Sequence, residues 1–338
     1  MGTASVQGPR IHALRDGIPT FAEPENDTAI SSSVELFGLG RGDDYNHANL
    51  SRLSMFSYRH AFHAGNHADV LKHLILIQLL SYLGQKDTPY WYIDTHAGAG
   101  VYALEGEWAG KNAEHEGGIA RLWERDDLPP AVAEYVAEVA AWNEDGVLRH
   151  YPGSPFIAGP MLRDRDCMRL FEAHPTEITV LQDNVRTLGR HVQRKTMFYD
   201  RDGFSGLKGL LPPPTRRGLV LIDPSYEDKR DYIHVMHTMQ EALARFATGC
   251  YAVWYPQVAR HEAQQLPGKL MRLDAKWLHV SLTVRKPSGI GLGLNGSGMF
   301  IVNPPWTLAE TLKTVMPWLT QALGEDDGAT YTLDTHGV

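Results

Sequence analysis

PYWYIDTHAGAG, residues 89–100, reads as a strand that ends on Asp94 and breaks into a glycine turn, Asp94-Thr-His-Ala-Gly-Ala-Gly100. Upstream, NHADVLKHLILIQLLSYLG at 66–84 reads as a mostly buried helix stopping near Gly84. Downstream, MRLFEAHP (168–175), KTMFYDRDG (195–203), RGLVLIDPSY (217–226), CYAVWYP (250–256), LHVSLTVRK (278–286) and MFIVNPPW (299–306) read as further strands. Helical stretches such as 230–246 lie between most of them. Strands alternating with helices give an α/β fold with a mainly parallel sheet. Seven strands are expected, the last two forming a hairpin because no helix separates them. The first strand ends at Asp94 and the second only at Glu172, whereas one βαβ unit usually takes ~30 residues. A helical insertion over about 103–152 accounts for the excess, with 129–145 its amphipathic helix.

Composition excludes several classes. The 338 residues are 43% hydrophobic and 21% charged, a globular balance. The longest apolar stretches are about half the ~18 residues of a bilayer span. Cys167 and Cys250 cannot build a disulfide framework, so a cytoplasmic protein is expected. A net charge of −8 argues against coating nucleic acid by bulk charge. Residues 1–54 carry four arginines against seven acids and show no sustained periodicity. They read as a disordered extension, and Met55 is a candidate translation start. The acidic residues and missing apolar core speak against a targeting peptide.

In open α/β sheets, ligands sit at the carboxyl ends of strands. Gly98 and Gly100 let backbone approach a ligand closely. The fingerprint G-x-G-x-x-G is not completed there, because Ala103 holds the third position. The complete match at Gly291–Gly296 opens no helix and reads as a hairpin loop. Glu172 can accept hydrogen bonds from ribose hydroxyls, and Asp202, before Gly203, from an adenine amine. The ordinary readings are a solvated carboxylate and a D-G turn. Together these strand ends describe an adenosine site without a pyrophosphate clamp, which suits S-adenosylmethionine. Lys72 and His73 on the first helix, and His96 in the glycine turn, are placed to face it.

Asp223-Pro224-Ser225-Tyr226 is similar to the [D/N/S]-P-P-[Y/F/W] motif of amino-group methyltransferases. The lone pair of an adenine N6 is delocalised into the ring. The Asp223 carboxylate and Pro224 carbonyl can each accept one N6–H and stabilise the charge developing on nitrogen. Proline presents that carbonyl rigidly, and Tyr226 can stack on a base taken out of its helix. Asn303-Pro304-Pro305-Trp306 fits the four-residue pattern better, but it follows the last strand and reads as a structural turn. His63 and His67 stand at i, i+4, yet no acid or cysteine completes a familiar metal set, so no metal is expected. No G-x-S-x-G supports a serine nucleophile.

These motifs, with YRHAFHAGNHADVLKH at 58–73, GIARLW at 118–123, YPGSP at 151–155 and RFATG at 245–249, make the chain from Met55 onward resemble the RlmJ-type bacterial 23S ribosomal RNA adenine-N6 methyltransferases. The resemblance implies a class I, Rossmann-like fold using S-adenosylmethionine. It implies cofactor contacts at His73, His96, Ser154, Glu172, Asp202, Gly203 and Asp223. It makes Asp223 the proton acceptor and Tyr58 a contact to substrate RNA. Two departures stand out: Ser225 where the family has proline, and the added 54 residues. The expectation is a cytoplasmic monomer that methylates an adenine of 23S rRNA, through local cations among Arg59, Lys72, Arg216, Arg217, Lys229 and Arg230. The alternatives are DNA adenine, a protein glutamine, or an rRNA-binding assembly factor weakened by Ser225.

Overall fold

The computed structural model describes residues 63–104, 113–287 and 293–338. The expected extension, Met55 and Tyr58 lie outside them. Helix α1 (His67–Gly84) leads into β1 (Trp91–Asp94), β2 (Val101–Ala103), α2 (Ala120–Trp123), α3 (Pro130–Ala140) and β3 (His150–Pro152). Then come α4 (Ser154–Met161), β4 (Cys167–Phe171), α5 (Pro175–Thr187), α6 (Gly189–Lys195), β5 (Thr196–Tyr199) and α7 (Gly203–Leu207). The chain closes with β6 (Gly218–Ile222), α8 (Asp231–Arg245), β7 (Cys250–Gln257), α9 (His261–Leu270), β8 (Trp277–Thr283), β9 (Gly296–Val302), α10 (Leu308–Leu323) and β10 (Thr330–His336).

The main sheet has eight strands in the order β10-β8-β9-β7-β6-β1-β4-β5. The pairs from β7 through β5 are parallel. Strand β9 returns antiparallel between β7 and β8, the class I methyltransferase arrangement. The expected count of seven is corrected by β10, which pairs antiparallel with β8. Its residues are mostly exposed, so the edge strand lacks the apolar run that marks a buried one. Between β1 and β4, strands β2 and β3 pair as a ribbon around α2 and α3.

Both faces of the sheet are covered, so its central strands are apolar throughout. In β6, Leu219 and Leu221 face α1, while Val220 and Ile222 face the layer holding α8 and α9. Tyr92 and Ile93 divide the same way in β1. Helix α1 is buried nearly all round, against α3, α4, β7, β9 and α10. Asn66 caps it, its Oδ1 accepting from the Ala68 and Asp69 N–H groups. This buried helix nevertheless carries Asp69 and Lys72, both turned toward the sheet's carboxyl edge.

Candidate active site

Register levels the carboxyl ends of the central strands. Asp94 pairs with both Leu170 and Leu221, and Leu221 pairs with Ala252. Two residues beyond each lie His96, Glu172, Asp223 and Trp254, in one row along the edge. The period of two puts Asp223 on the face shared by Leu219 and Leu221, which α1 covers. Lys72 meets it there, its Nζ 2.6 Å from Asp223 Oδ2 and 2.8 Å from Asp69 Oδ1. Burial opposes the lysine's charge, but Asp223 and then Asp69 outweigh it and hold the ammonium above the usual lysine range. Asp69 is itself fixed by the Gly65 N–H at 2.9 Å.

Asp94 is fully buried and accepts from the Tyr92 hydroxyl at 2.7 Å, the Ser154 hydroxyl at 2.7 Å and the His96 N–H at 3.1 Å. Burial raises its carboxyl against those bonds. Ser154 therefore ties the start of α4 to the end of β1. Glu172 accepts from the N–H groups of Gly98 and His174 at 2.9 and 2.7 Å. Burial pushes it up to about 7 despite both bonds. His96 is held near neutral imidazole by burial, down to about 4, and its ring meets Phe204 edge-on. Asp202 caps α7 by accepting from Phe204 and Ser205 N–H groups at 3.1 and 3.0 Å. Gly203 lies so close to the glycine turn that a Cβ there would stand 2.1 Å from the Thr95 carbonyl oxygen. Gly98 has φ +60°, and a Cβ on it would meet the Tyr102 hydroxyl at 2.3 Å.

His73 turns to Tyr151, with Nδ1 2.8 Å from its hydroxyl, which lies 3.0 Å from that of Tyr135. It thus backs the segment that ends in Ser154. Tyr226 is buried, packs on Tyr232 and donates its hydroxyl to the Trp254 carbonyl at 2.6 Å. As placed, it walls the site and offers no open face. Tyr58 falls outside the described residues.

The NPPW motif lies elsewhere. Antiparallel β9 ends with Val302 opposite Tyr251, near the start of β7, so Asn303 stands at the sheet's amino edge. Its amide donates to the Ala247 and Gly249 carbonyls at 2.7 and 2.8 Å, which makes it a turn lock. Arg216 and Arg217 precede β6 and also lie at that edge. Arg217 is spent on the Leu83 and Thr88 carbonyls, which removes it from the cations expected around the site. His63 pairs with Glu114 at 2.9 Å. Among the described residues no group of three His, Cys, Asp or Glu side chains could hold a metal ion.

The model of the family "RsmJ: Ribosomal RNA large subunit methyltransferase D, RlmJ" matches residues 87–334. The chain is 46% identical over 269 residues to "Ribosomal RNA large subunit methyltransferase J" of Escherichia coli K12, covering 78% of this chain and 93% of that protein. It is 42% identical over 282 residues to the protein of that name from Haemophilus influenzae, covering 83% and 98%. The chain belongs to the RlmJ family. A crystal structure of protein LPL1258 from Legionella pneumophila superposes with a TM-score of 0.74 at 36% identity, covering 81% of this chain and 99% of that one.

RlmJ-family enzymes are methyltransferases that use S-adenosylmethionine, and the strand ends here fit it. Gly98 and Gly203 let the glycine turn close on Tyr102 and the start of α7 close on Thr95, which sets the shape of this edge. Glu172, Asp202 and Asp223 are carboxylates at these strand ends whose chemistry suits a cationic, ribose-bearing cofactor. Glu172 reaches the edge holding two backbone N–H groups, and Asp202 reaches it as the cap of α7. Sequence reasoning gave Lys72 a place near the cofactor but missed its partner. The signal was there: an Asp and a Lys at i, i+3 inside an otherwise apolar helix. Nothing in the sequence marked the hydrogen-bonded core around Asp94, since it joins residues 60 positions apart.

Proposed function

We propose that this protein, as a monomer, transfers a methyl group from S-adenosylmethionine to the N6 of an adenine in 23S rRNA. The observation that carries the reading is Asp223-Pro224 at the carboxyl end of a central strand, level with Glu172 and His96 and anchored by Lys72. Both curated relatives bear names that specify ribosomal RNA of the large subunit.

The cofactor, when bound, supplies an electrophilic methyl on a sulfonium. The chain's own residues do the rest. Lys72 occupies Asp223 Oδ2. Oδ1 and the Pro224 carbonyl accept no hydrogen bond from any described residue and remain to take the two N6–H groups of a target adenine. The β6 backbone holds both acceptors on one side, so the amine's lone pair is turned toward the cofactor. Asp223 then receives the proton that the methylated amine sheds. The base must leave its stack to reach this edge, which favours unpaired or loop RNA. Tyr58 would contact that RNA. Among the described residues, no helix is long and apolar enough to cross a membrane.

Transfer of labelled methyl from S-adenosylmethionine to unmodified 23S rRNA, to adenine-containing DNA and to a glutamine peptide tests the acceptor. Label on rRNA alone is the expected result. Label on DNA or peptide at comparable rates would overturn the reading.

A further inference from the structure

We propose that Arg260 and Asp231 are positioning residues that lock the Asp223–Tyr226 loop, doing in this chain what a second proline does in the family's motif. The inference rests on the reading of Asp223 and Pro224 as the acceptors for the target amine.

The loop needs a lock. Tyr226 sits at φ +56°, in the left-handed region that a residue with a Cβ disfavours. The residue before it is Ser225, which is exposed and leaves φ unrestrained. Its hydroxyl makes only a long contact, 3.5 Å to the Glu227 N–H. A proline there would fix φ and hold Pro224 in extended backbone. Without it, the Pro224 carbonyl could swing as the loop relaxes.

Three contacts converge on Tyr226 instead. Its hydroxyl donates to the Trp254 carbonyl at 2.6 Å. Its backbone lies beside the carboxylate of Asp231 in the first turn of α8 and favours that carboxylate's charged form. Its carbonyl accepts from Arg260 Nη1 at 2.8 Å, and the same nitrogen reaches the Glu227 carbonyl at 3.1 Å. Arg260 lies just before α9, so the guanidinium bridges the loop to the far end of β7. A charged donor shared by two adjacent carbonyls is a stronger tie than a neutral one. It draws together two carbonyls that an unlocked loop would turn apart. Arg260 touches neither the acceptor oxygens nor the cofactor-facing turn, so its effect reaches catalysis only through the loop's geometry.

Arg260→Met keeps the aliphatic stem and removes the donors. We expect kcat to fall about ten- to a hundredfold, with the KM for S-adenosylmethionine within about twofold of the parent. We expect amide exchange across residues 225–227 to quicken. Adding Ser225→Pro to this variant should restore most of the lost turnover and slow exchange at Tyr226 and Glu227, a rescue that a general loss of packing would not show. Asp231→Asn, an independent lesion of the same lock, should quicken the same amides. Unchanged exchange in Arg260→Met, or a loss that Ser225→Pro does not repair, would overturn the proposal. If the parent enzyme forms no N6-methyladenosine, the adenine reading fails, and the exchange measurements still decide the lock on their own.

Discussion

Lys72→Met removes one charge from a buried trio and keeps the side chain's length. The ammonium lies 2.6 Å from Asp223 and 2.8 Å from Asp69, with side-chain exposures of 5% for the lysine, 14% for Asp223 and 2% for Asp69. Breaking a buried ion pair from one side costs about 3–5 kcal/mol, because the stranded charge stays desolvated. Asp69 keeps its bond from the Gly65 N–H and Asp223 keeps a partial opening to water, which places the loss near the lower end. About 3 kcal/mol lowers the melting temperature by roughly 6–10 °C in a domain of this size. The sign with pH follows from linkage. Lys72 gains a partner and its folded pKa is raised, so its stabilisation is whole below the unfolded lysine value and fades only as pH rises through the folded one. In the variant, two carboxylates stand together without a cation, so the deficit is full where both are charged and shrinks as acid neutralises them. Thermal melts of both proteins at pH 8 and pH 4.5 read this directly. A deficit under about 2 °C at pH 8, or an equal deficit at both pH values, would refute the reasoning.

Other expectations follow from the same geometry. Burial raises Glu172 to about 7, and a ribose contact needs its carboxylate. S-adenosylmethionine affinity measured by calorimetry should therefore rise from pH 6 to pH 8, and Glu172→Gln should flatten that slope. Gly203→Ala would place a methyl 2.1 Å from the Thr95 carbonyl, so equilibrium binding should show cofactor affinity at least about tenfold weaker as the turn is forced open. Asn303→Ala loses two bonds and a side chain suited to φ +53°, so denaturant unfolding should show about 1–3 kcal/mol less stability. Trp306→Ala, which trims an exposed ring at the amino edge, should leave the methylation rate unchanged.

The parts of this fold that could be read from sequence are those whose apolar pattern is dense. GLVLI at 218–222 is buried at every position, and a five-residue apolar run ending in Asp-Pro has few other readings. Strand β10 was not legible, because an edge strand with one solvated face and mixed polar residues carries no such run. The placement of Glu172 and Asp223 at the ends of the two strands flanking β1 was legible, because each directly follows a dense apolar run. Asp202 reads in sequence as a D-G turn or a base contact, and the fold uses it instead as the cap of α7. What stayed hidden depends on contacts between distant segments. Ser154 with Asp94 spans the insertion, and Arg260 with Tyr226 joins two strand ends. NPPW matched its pattern better than DPSY, and strand direction separates them: β9 runs antiparallel and delivers its end to the wrong edge.

The central claim is that Asp223 and Pro224 serve a methyl transfer to adenine N6 in 23S rRNA. Nucleoside mass spectrometry of unmodified 23S rRNA, after incubation with S-adenosylmethionine and either the parent enzyme, Asp223→Ala or Asn303→Ala, tests it most directly. The account predicts new N6-methyladenosine with the parent and with Asn303→Ala, and none with Asp223→Ala. Product that persists with Asp223→Ala and disappears with Asn303→Ala would contradict it.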